Sequence, residues 1–186
     1  MQERENILRI FEEAKVAIGK GDAIKLKELS NQTINTASRT QDPDNIATAV
    51  IVYSIGKILE RENYRVLPGW KNFYKRISLL IDVTITSIKK NDDKRVSENL
   101  ASIRGEVGKL SGKLRGYIQD VFEKASINKA SRLYEHGVSM EQTAKLLGIT
   151  MFELAGYSGG TRISDVPENR TFGVKQRIKF LEEMFG

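Results

Sequence analysis

The residues of this chain best suited to chemistry are cations placed to meet phosphate. Arg104, Lys109, Lys113 and Arg115 share a short stretch that holds a single acid, Glu106. Gly108, Gly112 and Gly116 recur through it at every fourth position. On a helix that spacing puts the three glycines on one face. Each glycine costs about 1 kcal/mol relative to alanine inside a helix, so another interaction must offset it. A bare face can admit a second helix, from the same chain or across a homodimer. Alternatively the helix breaks around Ser111-Gly112. Bare glycines beside basic side chains also let a phosphate backbone come close.

A second basic run precedes this one. Lys57, Arg61 and Arg65 fall at spacings of four, and Lys71, Lys75 and Arg76 follow with Trp70, Phe73 and Tyr74 interleaved. Cations beside aromatics can grip single-stranded nucleic acid. The competing reading makes the aromatics core and the charges a solvated face.

Patterns for catalysis fail on inspection. Gly112-Lys113 is followed by Leu114, where a phosphate-binding loop needs Ser or Thr, and the glycine due five residues earlier is Val107. Cysteine is absent, which excludes disulfides, thiol nucleophiles and thiolate metal sites. The one histidine, His136, precedes Gly137 at an expected helix end, where its ring can cap carbonyls. No cluster of carboxylates joins it to hold a metal. The sequence predicts neither a catalytic residue nor a cofactor.

The segment Ser139–Gly159, SMEQTAKLLGITMFELAGYSG, reads as a helix-turn-helix. Ala144 stands where the first helix must lie close to the second. Gly148 follows at the turn, where a positive φ is easiest for glycine. Met140, Leu147, Ile149 and Leu154 are the expected apolar contacts. The run Thr143–Ile149 resembles the first helix and turn of phage-repressor-type modules. The preceding ASRLYEHGV, 130–138, resembles the lead-in helix of antitoxin-like and small prokaryotic regulators. The resemblance covers about a third of the chain and implies a DNA-binding fold without a catalytic signature. In such modules the second helix enters the major groove with its first residues at base edges. Those residues are Thr150, Met151 and Glu153, with Phe152, Ala155 and Gly156 beside them. Strong base readers are Arg, Lys, Asn and Gln, and none is present there. The same motif can therefore serve as a scaffold that packs on a partner protein or on the rest of the chain.

The 186 residues carry 30 Lys and Arg against 24 Asp and Glu, a net charge of +6. Residues 1–125 account for +5 of it and residues 126–186 for +1. Most affinity for nucleic acid comes from phosphate contacts, so the first part is the expected source of attraction. The start, MQERENILRI, lacks an apolar signal core, and apolar runs such as 46–59 are too short to span a bilayer. A soluble cytoplasmic protein is expected, with no membrane partner.

Helical periodicity dominates the chain. Helices are predicted over about 4–19, 22–39, 45–62 and 70–90, with a fifth running from Asn91-Asp92-Asp93 past Val121-Phe122. A last helix is predicted over about 173–185. The stretch IDVTITSI, 81–88, is rich in β-branched residues but keeps helical spacing. Short connections argue antiparallel neighbours. The expected fold class is all-α: a helical bundle over 1–125, a joint at 126–128 or a continuous helix across it, then a helix-turn-helix region with a docking helix over 126–186. The function this implies is a non-enzymatic, nucleic-acid-associated protein. A DNA-binding transcriptional regulator of archaeal or prokaryotic type is favoured, with RNA as the other nucleic acid. The bundle would serve homodimerisation or partner sensing. The alternative is a protein-interaction module, antitoxin-like or ribosome-associated.

Overall fold

The computed structural model describes residues 2–110, 112–135, 137–147 and 155. Among them the protein is all-α, with seven α-helices and no strand. These are α1 (Arg4–Lys20), α2 (Ala23–Thr40), α3 (Pro43–Leu59), α4 (Trp70–Lys89), α5 (Asp93–Gly105), α6 (Gly112–Glu135) and α7 (Met140–Leu147). Short 3-10 turns at Glu62–Tyr64 and Glu106–Lys109 precede α4 and α6. Contacts divide the chain into two units, Met1–Leu154 and Ala155–Gly186, and every described helix belongs to the first.

Aspartates set three of the helix starts. Asp22 accepts the Lys25 amide at 2.9 Å, Asp42 the Asp44 amide at 2.9 Å, and Asp92 the Arg95 amide at 3.0 Å. Each satisfies an amide that the first helical turn leaves without a partner. Pro43 stands at the first position of α3, where its fixed φ fits and its missing N–H is not needed. The stretch 81–88 is helical within α4. There Thr84 and Thr86 turn their hydroxyls back onto the carbonyls of Leu80 and Asp82, at 2.7 and 2.9 Å.

α3 is apolar on nearly all sides and lies at the centre. Its Ile51, Val52, Ile55, Ile58 and Leu59 join the larger core, built with α1, α2, α4, α5 and the first half of α6. Ile46, Ala49 and Val50 join a second cluster with Ile34 and Ala37 of α2 and Ala125, Ala130, Leu133 and Val138. On α3, Ser54 and Thr48 donate to the carbonyls four residues back, at 2.7 Å each. α2 comes close because Gly56 leaves room for it; a Cβ there would meet the Leu26 Cβ at 3.1 Å and the Ala23 carbonyl at 3.3 Å.

Two stretches that the sequence leaves open take one form each. The predicted fifth helix is two helices, because α5 ends at Gly105 and α6 begins at Gly112 with φ +58. That left-handed backbone is open to glycine and closed to an ordinary helix interior. The stretch 126–128, open to a joint or to a continuous helix, lies within α6, which runs unbroken to Glu135. Its last turns dock on α2 and α3 through the second cluster, and α7 packs on α6 and α3 with Met140 against the same cluster. The first helix of the helix-turn-helix pattern thus rests on the bundle. His136, 148–154 and the predicted helix over 173–185 lie outside the described residues.

Lys129 is fully buried within this docking surface. Its Nζ donates to Asn31 Oδ1 at 3.0 Å and sits 4.2 Å from the centre of the Tyr53 ring. No carboxylate pairs with it among the described residues. Burial, with some help from nearby Arg132, brings its pKa from 10.5 down to about 7. The folded protein therefore holds this proton less tightly than the unfolded chain does. Between about pH 7 and 10.5 the unfolded state carries more of this proton, so the Lys129 contribution to stability rises with pH across that window.

Two outcomes are expected. Lys129→Met should raise stability by roughly 1–4 kcal/mol near pH 6–7, with the gain shrinking toward pH 10. Thermal melts at several pH values measure it, and a gain independent of pH would contradict the account. Ala144 is buried on α7, so Ala144→Leu should destabilise by roughly 1–3 kcal/mol through overpacking, seen as a lower melting temperature of the full chain.

Candidate nucleic-acid interface

Four of the seven sequence-predicted contact residues are described, and they gather at one end of the bundle. There α5 ends at Gly105, α6 begins at Gly112, and the loop before α4 closes over them. Gly69 lies against Leu110 and Leu114, so that a Cβ on it would sit 3.9 and 3.7 Å from their side chains. Tyr64 stacks on Tyr117 with ring centres 5.3 Å apart and planes 11° apart. Arg76 of α4 reaches Glu106 at 3.4 Å. These contacts join two basic stretches that are far apart in sequence, 61–81 and 104–117.

Joined, the two stretches hold nine cations: Arg61, Arg65, Lys71, Lys75, Arg76, Arg104, Lys109, Lys113 and Arg115. All nine side chains are exposed. Only Glu62 and Glu106 oppose them, for a local charge of +7 against +6 for the whole chain. The rest of the protein is therefore close to neutral, and the positive charge is a property of this end.

Glu106 is the one acid built into the surface. It is 5 % exposed and takes Lys109 at 2.5 Å and Arg76 at 3.4 Å. Lys109 and Arg76 are thus partly neutralised, whereas Arg104, Lys113 and Arg115 form no ion pair among the described residues. A cleft of about 220 Å³ opens beside the pair, walled by Pro68, Gly69, Asn72, Phe73 and Leu110. No side chain caps the N-terminus of α4 at Gly69. The α6 N-terminus lies at the same end, so two positive helix-dipole ends add to the field of the cations.

Among the described residues no helix packs against the face of Gly112 and Gly116. Gly112 and Gly116 have no atom within 4 Å of where a Cβ would lie, and the break before α6 separates both from Gly108. Of the two offsets considered for the glycines, the break is what the described chain adopts. The aromatics of 70–74 are core: Trp70 and Phe73 are buried, and Tyr74 spends its hydroxyl on the Ile18 carbonyl at 3.2 Å. The exposed aromatic is Tyr117, which the sequence analysis did not single out. Its position one helical turn after Lys113 was the available signal. Thr150, Met151 and Glu153 lie outside the described residues.

α6 separates this end from α7. Lys113 and Glu135 are about 33 Å apart along the helix at 1.5 Å per residue. The cations and the first helix of the helix-turn-helix pattern therefore stand at opposite ends of one rod. No described helix is long and apolar enough to cross a membrane. Among the described residues no group of acidic or histidine side chains is placed to hold a metal ion. Comparison of the chain with protein-family models, with curated proteins and with solved structures finds no match.

The glycines give a paired prediction. Gly116→Ala should stabilise by about 0.5–1 kcal/mol, since the site is helical and open. Gly112→Ala should destabilise by about 1 kcal/mol, since alanine resists the left-handed backbone there. Denaturant titrations of the two variants check the pair, and two changes of the same sign would contradict it.

Proposed function

We propose that this is a non-enzymatic, nucleic-acid-associated protein that holds phosphate backbones with the basic end of its bundle. The observation that carries the reading is the concentration of nine exposed cations against two carboxylates at one end of an otherwise near-neutral molecule. Phosphate contacts of this kind supply affinity without base readout, so they need no recognition helix rich in Arg or Asn. The helix-turn-helix pattern of 139–159 supports a fuller form of the proposal, a cytoplasmic DNA-binding transcriptional regulator. In that form the bundle supplies backbone contacts, dimerisation or sensing. A protein-interaction module is the second reading. The packing of α7 on α3 and α6 favours it, because the pattern's first helix is then part of the scaffold.

A salt titration of binding to duplex DNA, single-stranded DNA and structured RNA tests the proposal. Affinity should fall steeply with salt, and Lys113→Ala should flatten the log–log slope by about 1. Lys109→Ala should change it far less, because Glu106 already holds that ammonium. Absence of salt-dependent binding to all three at low ionic strength would overturn the proposal and leave the protein-interaction reading.

A further inference from the structure

We propose that Tyr117 is a base-stacking platform, and that the basic end accepts a single-stranded nucleic acid. The inference rests on the nucleic-acid reading above and names the class of strand. Tyr117 is unusual among the aromatics of this end in being 42 % exposed. Its ring is nonetheless held in place, because it stacks on Tyr64, which is 2 % exposed. The Arg61 guanidinium lies 5.7 Å from the centre of the Tyr64 ring. A fixed ring with open surface is what a base needs, since ordering the platform then costs little when the base arrives.

The surroundings of the ring suit a strand. Lys113 is one turn back on the same face of α6 and has no ion partner among the described residues. Gly116 and Gly112 leave the flank of the helix bare, with open space at both. At these two positions a sugar-phosphate chain can approach the backbone of α6 beside the tyrosine. Asp120, one turn further on, is taken by Lys124 at 2.8 Å and so is partly neutralised. In a duplex each base is covered by its neighbours, and only an unpaired strand can lay a base on Tyr117. Stacking of this kind tolerates any base, which agrees with a surface that offers cations and an aromatic but no ordered set of base-reading amides.

The test uses the full chain and fluorescence anisotropy. The probes are labelled oligothymidylate, oligouridylate, an abasic strand of equal length and a duplex of equal length. The unpaired strands should bind tighter than the abasic strand by about tenfold or more. Tyr117→Ala should erase that difference while keeping the salt slope, and Tyr117→Phe should restore it. Whichever of oligothymidylate and oligouridylate binds tighter identifies DNA or RNA as the source. Equal binding of abasic and base-bearing strands by the unaltered protein would overturn the inference, whether or not Tyr117→Ala folds. If the duplex still binds in that case, the nucleic-acid reading stands and the stacking platform falls. If no probe binds at low salt, both fall.

Discussion

A helix that must be dry on nearly every side constrains everything around it. α3 presents twelve buried residues out of seventeen, and a single neighbour cannot cover so wide a surface. It therefore gathers partners from the whole chain: α1, α2 and α5 on the larger core, and α2, α6 and α7 on the smaller one. Burial of this kind is the dominant favourable term in folding, of order 25 cal/mol per Å² of apolar surface. It also explains why α6 cannot stop where the sequence suggests a joint. The first half of α6 belongs to one core and the second half to the other.

Charge follows the same geometry. Once the apolar faces are committed to α3, the polar residues of the helix ends are left outside. The ends that meet at Gly69, Gly105 and Gly112 carry cations almost exclusively. Like charges at this density repel, and Glu106, a buried acid of this end, ties Arg76 and Lys109 together at the seam between α4 and the α5–α6 connection. The seam is thereby closed and the outer cations stay available. At the far end of α6 the buried ammonium of Lys129 meets an amide oxygen, a ring face and, among the described residues, no carboxylate, a weaker compensation that leaves its pKa lowered.

The sequence made the bundle legible because its signals are local. Periodicity found α1 to α4 to within a few residues, and Asn91-Asp92-Asp93 marked the start of α5. What it could not show were features decided at a distance. The break between α5 and α6 turns on a left-handed Gly112, and a four-residue glycine spacing looks the same in a broken helix as in a continuous one. At 126–128 the polar Ser126 and Asn128 suit a joint or a helix surface alike, and only the burial of the opposite side of α6 decides for the helix. For the candidate site, the cations of 104–115 were visible as a run. That they merge with those of 61–76, and that Tyr117 rather than Trp70 faces solvent, depends on which aromatics α3 and its neighbours consume.

The unbroken course of α6 has a consequence for how this protein can vary. Each added residue in a helix turns everything beyond it by about 100° and moves it about 1.5 Å. Tyr117 at the start of α6 and Leu133 near its end are therefore held on nearly opposite sides of the rod, about 160° apart around its axis. An insertion or deletion of one residue between them would swing Leu133 out of the second core or carry Tyr117 off its stack on Tyr64. Related chains should thus vary in length within the loops, such as 65–69, and hold the length of α6 constant. In this molecule the count of residues in a single rod fixes which way its two ends face.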